Sequence, residues 1–416
     1  MFDQLFKRPS TIACHSNGPY AEERRQYLVA CAKQGNSRST LLFEARDLLW
    51  VARKLSVYPD LRQVTIEDVR SLADDWRSRE RACGRALNTV FTRRRYVRLA
   101  AAWLRFLGYL KVPEEPIPFH GQLQEYCRWA REERGLTEAT VNQLYSQIKH
   151  FLRWYGAFAR DLADVRAANV DAYLARGSAR GWCRVTVNNV AVGLRAFFRY
   201  CSQQQWTHAH LADGIQGPRI YALEGLPTGP DWSDVRRLFA SLDMKIPTHI
   251  RDRPILMLFA IYGLRASEVA GLRLEHLDWE QDQLHVPRAK RRDTQIYPLL
   301  PSVRHALVRY LRKVRRRPSV HREVFLTLKP PFQPISTSGL YSVAAKRLKA
   351  LGVRTAHHGP HSLRHACAAR LVSRGLSLKE IGDHLGHRST SATRIYAKVD
   401  LHALREVAAF DTGELL

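Results

Sequence analysis

The chain has 416 residues, which is enough for two or three domains that each bury a core. Lys and Arg number 66 and Asp and Glu number 39, so the formal net charge is +27 at pH 7. The longest apolar run, 254–264, is shorter than the ~18 residues that a transmembrane helix needs, and the N-terminus lacks the apolar segment of a signal peptide. We therefore expect a globular cytoplasmic protein that binds a polyanion such as nucleic acid and no membrane.

Neither the cysteines nor the histidines predict a metal centre. The seven cysteines include no C-x-x-C pair, which argues against a zinc ribbon and against a disulfide framework. Four histidines lie between positions 357 and 365, but no matching cysteine or carboxylate ligands accompany them. We expect no metal and no cofactor.

Proline-containing joints divide the chain into three segments. Prolines crowd 113–118, where a helix cannot continue, and a second joint of Gly and Pro spans 217–230. The patterning before and between these joints is helical. We predict a mainly α fold with a small β-sheet: an additional helical domain at 1–112, a second helical domain at 113–222, and an α+β domain at 223–416.

The first two segments resemble each other. Short motifs recur about 94 to 101 residues apart, so that 64–69 matches 165–170 and 103–106 matches 197–200. We interpret the segments as two copies of one module of four or five helices. An alternative stays open, because short helical bundles can resemble each other through composition alone.

The third segment combines helices with one hairpin. An apolar helix at 254–262 is expected to end at Gly263. Two β-rich runs, 283–287 and 294–298, flank a basic stretch and predict a hairpin with a basic tip. Arginines crowd the helix predicted at 303–317, whose apolar stripe is expected to face the core while its basic face points outward.

Two arginines have the surroundings of phosphate ligands. His361 and Arg364 lie one helical turn apart, and Arg265 occupies a turn between two helices in the run Gly-Leu-Arg-Ala-Ser-Glu. Arginine clamps a phosphate with two parallel charge-assisted bonds and keeps its proton. Two such clamps can neutralise a phosphodiester and its transition state without a metal ion.

His387 and Tyr396 can reach one site only across a break in the helix. They are nine residues apart, so on one continuous helix their side chains would point in opposite directions. Gly386 is a favourable helix stop, and Ser389 or Ser391 is a favourable N-cap for a new helix. We therefore predict two helices with a break between them.

Together these motifs resemble the signature of the tyrosine recombinase (phage integrase) family. The matching positions, in the family's order, are Arg265 in Gly-Leu-Arg-x-Ser-Glu, Lys290 at the hairpin tip, His361-x-x-Arg364, Leu-Gly-His387 and Tyr396. The resemblance covers about residues 113–416. It implies that 113–222 is a core-binding (SAM-like) DNA-binding domain and that 223–416 is a catalytic domain with a C-terminal tail helix.

The resemblance implies an enzyme that breaks and rejoins DNA without ATP or metal. Tyr396 would attack a backbone phosphate, form a 3′-phosphotyrosyl bond and release a 5′-hydroxyl. Because bond energy is conserved, the 5′-hydroxyl of a partner strand can reverse the step. Arg265 and Arg364 would hold the nonbridging oxygens.

Four further residues complete the site that the resemblance implies. Lys290 would protonate the leaving 5′-oxygen, and His361 would assist proton transfer at the tyrosine. His387 would hydrogen-bond the phosphate, and Glu268 would orient neighbouring site residues. The family's usual Gly-Lys-Gly turn appears here as Ala-Lys-Arg, so we expect a stiffer and more basic hairpin.

The implied partner is double-stranded DNA with specific recombination sites. The arginines that we expect to contact it are Arg93, Arg94, Arg95, Arg195, Arg288, Arg291 and Arg292. Family members usually carry one helical module, so the first module here suggests added DNA contacts, such as to an arm or subterminal sequence of a mobile element. Protein–protein docking is the alternative for this module.

The family acts as a tetramer on two duplexes, so we expect a homotetramer, with accessory recombinases as further candidate partners. The tail at 399–410 has apolar residues at helical spacing and is expected to dock into a neighbouring subunit. The role we favour is integration, excision or transposition of a mobile element. The alternatives are relaxation by type IB topoisomerase chemistry, Xer-type dimer resolution, a non-catalytic DNA-binding regulator and a metal-dependent transposase.

Overall fold

The computed structural model describes residues 1–82, 89–110, 116–221, 229–288, 293–316, 318–387 and 393–399, with only the backbone course for 75–82, 89–92 and 397–399. The chain divides into two compact units, one formed by Met1–Lys111 with Gly225–Leu416 and the other by Val112–Glu224. The predicted mainly α fold with a small β-sheet is confirmed. Within the described part, no helix is both long and apolar enough to cross a membrane.

The described residues of the N-terminal part of the first unit form six α-helices and a short 3-10 helix at Leu61–Gln63. The α-helices are α1 (Phe2–Leu5), α2 (Pro9–Ser16), α3 (Ala21–Lys33), α4 (Arg38–Leu55), α5 (Ile66–Ala82) and α6 (Thr89–Phe106). Ser37 starts α4, because its hydroxyl accepts a hydrogen bond from the backbone N–H of Thr40. The apolar faces of α4 and α6 pack against each other around the fully buried Leu48 and Trp103.

The second unit is a bundle with an aromatic core. Its helices are α7 (His120–Glu132), α8 (Glu138–Tyr155), α9 (Ala167–Ala179), α10 (Arg184–Gln203) and α11 (Leu211–Gly214). Phe151 on α8 meets Phe198 on α10 edge to face, with ring centroids 5.6 Å apart. Such pairs add to the free energy gained from burying the rings, and they fix the two longest helices of the bundle against each other.

The C-terminal part of the first unit surrounds one helix whose second half is apolar. Its elements are α12 (Trp232–Ala240), α13 (Pro247–Ala260), α14 (Ala266–Ala270), β1 (Leu277–Asp278), β2 (Gln283–Arg288), β3 (Asp293–Pro298), α15 (Pro301–Lys313), α16 (Thr337–Ala350), α17 (Pro360–Val372), α18 (Leu378–Leu385) and a 3-10 helix (Arg394–Val399). Helix α13 is buried along its second half and lies against both α15 and α17. It therefore forms the centre on which the rest of this part is built.

The sheet is antiparallel in the order β1-β2-β3, and the predicted hairpin is confirmed. Leu284 pairs with Tyr297, and Arg288 pairs with Asp293 at the outer end of the hairpin. The tip at 289–292, which includes Lys290, lies outside the described residues. Gly263 has the left-handed φ of +60° expected of a helix stop.

The basic helix is shorter than the sequence predicts. It ends at Lys313 and does not continue to position 317. Arg315 is buried, and its guanidinium donates hydrogen bonds to the carbonyls of Val324, His321 and Glu323 at 2.7 to 3.1 Å. This arginine therefore anchors the following loop and does not extend the basic surface.

Candidate active site

Three elements of the C-terminal part carry four of the predicted site residues. His361 and Arg364 lie on α17, Arg265 caps α14, and Tyr396 lies in the 3-10 helix that packs against α17. Gly263 permits this convergence, because a Cβ there would lie 2.4 Å from Leu385 Cδ2 at the end of α18. A glycine at this turn lets α18 approach both α17 and the turn that carries Arg265.

Arg364 is held rigidly inside the protein. It is 2% exposed, and its guanidinium donates to the carbonyl of Gly263 and, at 2.9 Å, to the carbonyl of Leu385. Burial, together with the neighbouring charge of Arg265, lowers the pKa of Arg364 to about 10. The side chain is therefore still a cation at neutral pH, and two backbone oxygens fix its orientation.

Arg265 is oriented by Glu268 and by the end of α18. Its Nη1 donates to Glu268 Oε1 at 2.9 Å, and its Nη2 donates to the carbonyl of Gly386 at 3.1 Å. Burial would raise the pKa of Glu268, but hydrogen bonds from the Arg265 backbone and the Arg288 guanidinium hold it below its usual range. Glu268 is thus a buried carboxylate that positions two arginines.

The structure corrects the prediction that Arg288 contacts DNA. Arg288 is 3% exposed, and its guanidinium donates to Glu268 at 2.5 Å, to Gln295 and to the Tyr297 hydroxyl. It follows Leu284 and Val286 on the buried face of β2, because alternate strand residues share one face. It serves the site as a partner of Glu268.

The other predicted DNA-contacting arginines fall into different surroundings. Arg195 is half-buried, and its Nε and Nη2 donate to the carbonyl of Ile215 at 3.0 and 2.6 Å, while its contact with DNA stays a prediction. Arg93 pairs with Asp74, and Arg95 pairs with Asp47, each at 2.6 Å. Arg94 is exposed. Arg291 and Arg292 lie outside the described residues, as does Lys290.

The hydroxyl of Tyr396 contacts a histidine that the sequence interpretation did not include. Tyr396 is 2% exposed, and its hydroxyl lies 2.9 Å from His365 Nδ1. His361, which was expected to act at the tyrosine, instead packs its ring against that of His365, with centroids 4.4 Å apart. The position of His365, one helical turn after His361, was the signal available in the sequence.

Burial sets the protonation of this tyrosine–histidine pair. It raises the pKa of Tyr396 to about 12 and lowers the pKa of His365 to about 4. At neutral pH the phenol therefore keeps its proton, and the imidazole is neutral with one nitrogen free to accept a proton. The hydrogen bond between them gives the phenolic proton a direct path to His365 Nδ1.

His387 lies beside the same tyrosine. Its ring is parallel to that of Tyr396 with centroids 6.4 Å apart, and its Nδ1 lies 2.7 Å from Thr393 Oγ1. Gly386 ends α18 in the left-handed conformation, so the chain turns away from the helix before His387. The turn brings the two rings together as predicted, although the expected N-caps at 389 and 391 lie outside the described residues.

A cavity of about 460 Å³ opens beside these groups. The polar side chains on its wall are those of Arg265, Tyr341, His357, His361, Ser362, Arg364 and His365. The lining contains two arginines and no carboxylate, so it favours an anion of the size of a phosphate. Among the described residues, no group of three or more His, Cys, Asp or Glu is arranged to hold a metal ion.

Two family models match the chain. Residues 231–402 match the phage integrase family, and residues 123–205 match the N-terminal SAM-like domain of phage integrases. A protein named as an integrase/recombinase, y4rA of Sinorhizobium fredii (strain NBRC 101917 / NGR234), is 33% identical over 307 residues, which cover 73% of this chain and 74% of that protein. The tyrosine recombinase XerD of Shewanella oneidensis is 29% identical and covers 66% of this chain and 90% of its own.

A solved structure has the same fold. The XerH site-specific recombinase, bound to a palindromic difH substrate in a post-cleavage complex, aligns with a TM-score of 0.54 at 19% identity and covers 70% of this chain and 84% of its own. The fold, the two family models and the long match to y4rA agree with one another. The chain therefore belongs to the phage integrase family of tyrosine recombinases, enzymes that recombine DNA at specific sites by cutting and rejoining it.

Proposed function

We propose that this enzyme exchanges DNA strands for a mobile element, in integration, excision or transposition, through a 3′-phosphotyrosyl intermediate on Tyr396. The observation that carries the proposal is the convergence of Arg265, Arg364 and His365 on one cavity, with the Tyr396 hydroxyl bonded to His365. The match to an integrase/recombinase over 73% of the chain supports the mobile-element role.

Arg265 and Arg364 bind the scissile phosphate. Arg265 donates hydrogen bonds to Glu268 and to the Gly386 carbonyl, and Arg364 donates one to the Leu385 carbonyl. These bonds fix the direction in which the remaining N–H groups of each guanidinium point. Fixed donors stabilise the charge of the pentavalent transition state without having to reorganise during the reaction. His361 and His387 add hydrogen bonds around the phosphate.

Tyr396 is the nucleophile, and His365 takes its proton. The phenolic oxygen forms a bond to phosphorus while the bond from phosphorus to the 5′-oxygen breaks. The phenolic proton passes to His365 Nδ1, and Lys290 gives a proton to the leaving 5′-oxygen. A phosphate anion in the cavity raises the pKa of the neighbouring imidazole and so makes His365 a better base. Attack by the 5′-hydroxyl of a partner strand reverses each transfer and seals the new joint.

We also propose a homotetramer assembled on two duplexes, with the tail at 399–410 docked into a neighbouring subunit. The tail lies mostly outside the described residues, so this proposal rests on the apolar spacing of its sequence. Accessory recombinases are proposed as further partners.

Paired-site plasmids test the proposal against relaxation by topoisomerase chemistry. The cleavage site is first mapped on the DNA that flanks the gene, as the position of the covalent protein. Supercoiled plasmids with one or two copies of that site are then incubated with the protein. We expect deletion or inversion products only from the two-site plasmid. Equal relaxation of both plasmids without exchanged products would contradict strand exchange.

His365→Gln is expected to slow covalent cleavage of a nicked substrate about 100-fold at pH 7, because Gln can hydrogen-bond the phenol but cannot take its proton. The bound phosphate raises the pKa of His365 from about 4, so the rate of the unsubstituted enzyme should be flat above that raised pKa and should change much less than tenfold per pH unit between pH 6 and 8. The variant depends on ionised Tyr396, whose pKa is about 12, so its rate should rise about tenfold per pH unit.

The control is His358→Gln, because His358 bonds the Val353 carbonyl and does not line the cavity. It should keep both the rate and the flat profile. A His365→Gln protein with the same flat profile and unchanged rate would exclude His365 as the proton acceptor.

A further inference from the structure

The four long helices of the N-terminal part, α3 to α6, have the same local geometry as helices α7 to α10 of the second unit. Helices α3 and α7 each begin after a residue with positive φ, Tyr20 at 50° and Phe119 at 59°. A positive φ is uncommon for an aromatic residue, so the coincidence is specific. Helices α4 and α8 begin at Ser37 and Thr137, and each hydroxyl accepts a hydrogen bond from the N–H three residues later.

The buried positions coincide as well. Five buried residues of α4 recur on α8 at a spacing of 100: Leu41, Leu48, Val51, Ala52 and Leu55 match Val141, Ile148, Phe151, Leu152 and Tyr155. In the next connection and helix the spacing is 101: Leu61, Val64 and Val69 match Leu162, Val165 and Val170, all of them buried. One insertion between the two helices accounts for the change.

The ends of α6 and α10 also match. Two positions after each helix ends, a residue has positive φ, Gly108 or Gln205, and the next N–H reaches back to the carbonyl of a buried residue. The Tyr109 N–H bonds the Leu104 carbonyl, and the Trp206 N–H bonds the Cys201 carbonyl, both at 2.9 Å. Composition alone does not reproduce caps, turns and core positions in register. We therefore interpret the two modules as copies of one four-helix unit.

The copies differ in the charge on their last helix. Arg94, Arg98 and Arg105 are exposed on α6, and at about 100° per residue they lie within about 40° of one another. The turns that follow α6 and α10 are 97 residues apart. At this spacing the positions on α10 that correspond to the three arginines are Ala191, Arg195 and Ser202. Ala191 is buried, and Arg195 is bonded to the Ile215 carbonyl. The stripe of cations is therefore particular to the first copy.

This stripe borders a groove of about 620 Å³ between α4 and α6, to which Lys329 of the C-terminal part also contributes. The residues on its wall are Thr40, Phe43, Glu44, Asp47, Arg94, Arg95, Arg98, Leu99 and Lys329. Asp47 is paired with Arg95, and Glu44 is hydrogen-bonded by Asn36. Arg94 and Arg98 have no ion pair within 4.0 Å among the described side chains, and the charge of Arg98 opposes the burial that raises the pKa of Glu44 and of Asp47. The cations therefore outnumber the two carboxylates.

The stripe has the length and the charge that a phosphate-backbone contact requires. From Arg94 to Arg105 the helix rises about 16 Å, which is several steps of a DNA strand at about 3.4 Å each. Phe43, which is 55% exposed, presents an apolar face to the same opening and carries the Arg95 guanidinium over its ring. Exposed arginines above a shallow, partly apolar groove suit a duplex better than an acidic peptide, which would need paired charges at fixed spacing.

We propose that the first module binds the sugar–phosphate backbone of duplex DNA through the groove between α4 and α6, with Arg94 and Arg98 as its phosphate contacts. Each protomer then holds DNA with two copies of one helical module in addition to its catalytic part. The proposal concerns binding alone and does not depend on the chemistry proposed for Tyr396.

The salt dependence of binding tests this contact. The full chain is titrated against a fluorescent 40-base-pair duplex of random sequence at several salt concentrations. Each phosphate contact adds about 0.9 to the slope of log K against log salt, so Arg94→Ala with Arg98→Ala should reduce the slope by about 2. Arg94→Lys with Arg98→Lys should keep it, because Lys retains the charge.

Arg25→Ala with Arg70→Ala is the matched control. It removes the same charge from exposed positions of the same module, but these arginines already pair with Glu22 and Glu67. The control should leave the slope unchanged, and thermal melting of all variants should show that the fold is retained. An unchanged slope in the Arg94/Arg98 alanine variant, or an equal loss in the control, overturns the proposal.

Altered self-association with an unchanged DNA slope would indicate protein docking and would also overturn the proposal. The strand-exchange proposal can be refuted independently of the groove contact. If no covalent adduct forms on any nicked substrate while the slope still falls by about 2, the strand-exchange proposal is wrong and the groove contact stands.

Discussion

Tyr396→Phe is expected to abolish the covalent protein–DNA adduct and to leave DNA affinity unchanged. The substitution removes one oxygen from a ring that stays buried among the same neighbours, so the cost to stability is about 1 kcal/mol, the value of one hydrogen bond. The chemical cost is complete, because no other hydroxyl bonds His365 among the described residues. Adducts are measured on a duplex nicked next to the cleavage position, where the released strand fragment diffuses away and prevents resealing.

Tyr155→Phe is a suitable control for this experiment. Its hydroxyl is also hydrogen-bonded, to the Asp161 carbonyl at 3.2 Å, but it lies in the second unit. The control should form the adduct at the rate of the unsubstituted enzyme. Adduct formation by the Tyr396→Phe protein would mean that another residue is the nucleophile, and the mechanism proposed for this site would be wrong.

The second large effect is expected for Arg364→Lys. Lysine keeps the charge but has a single nitrogen. That nitrogen cannot bond the carbonyls of Gly263 and Leu385 and a phosphate at the same time, as the separate nitrogens of arginine can. Losing a fixed donor to the developing charge should slow adduct formation by about 100- to 1,000-fold. One buried carbonyl loses its partner, so the free energy of unfolding should fall by about 1–3 kcal/mol.

Single-turnover rates on the nicked duplex and urea unfolding measure these two effects separately. Arg370→Lys is the control on the same helix, because Arg370 packs over the Trp232 ring and lies outside the cavity. If Arg364→Lys lost activity only in proportion to the unfolded fraction, Arg364 would be a structural residue. A large rate loss in a fully folded variant is the expected result.

Local signals in the sequence predicted those features that depend on a few neighbouring residues. The stop at Gly263, the hairpin around β2 and β3, and the turn at Gly386 each follow from a glycine or from strand patterning within about ten positions. The proximity of the His387 and Tyr396 rings could be predicted for the same reason, because the two residues lie on either side of one short break in the helix.

Local signals do not predict features that depend on partners distant in the sequence. Arg288, Arg195 and Arg315 were interpreted as surface cations, yet each is held by groups far away in sequence or in a following loop. A buried arginine is stable only where acceptors surround it, and the spacing of the sequence does not show those acceptors. For Arg288 the alternation of β2 did contain the signal, since it shares a face with Leu284 and Val286.

The last carbonyls of α18 have a consequence for how the site is controlled. The Leu385 oxygen holds Arg364 and the Gly386 oxygen holds Arg265, so one helix terminus supports both cations. The partial negative charge at a helix C-terminus favours this arrangement. A shift of that terminus by about one ångström lengthens both bonds beyond hydrogen-bonding range. We therefore expect the two guanidinium groups to gain or lose their orientation together, so that the position of one helix end decides whether both can face the scissile phosphate.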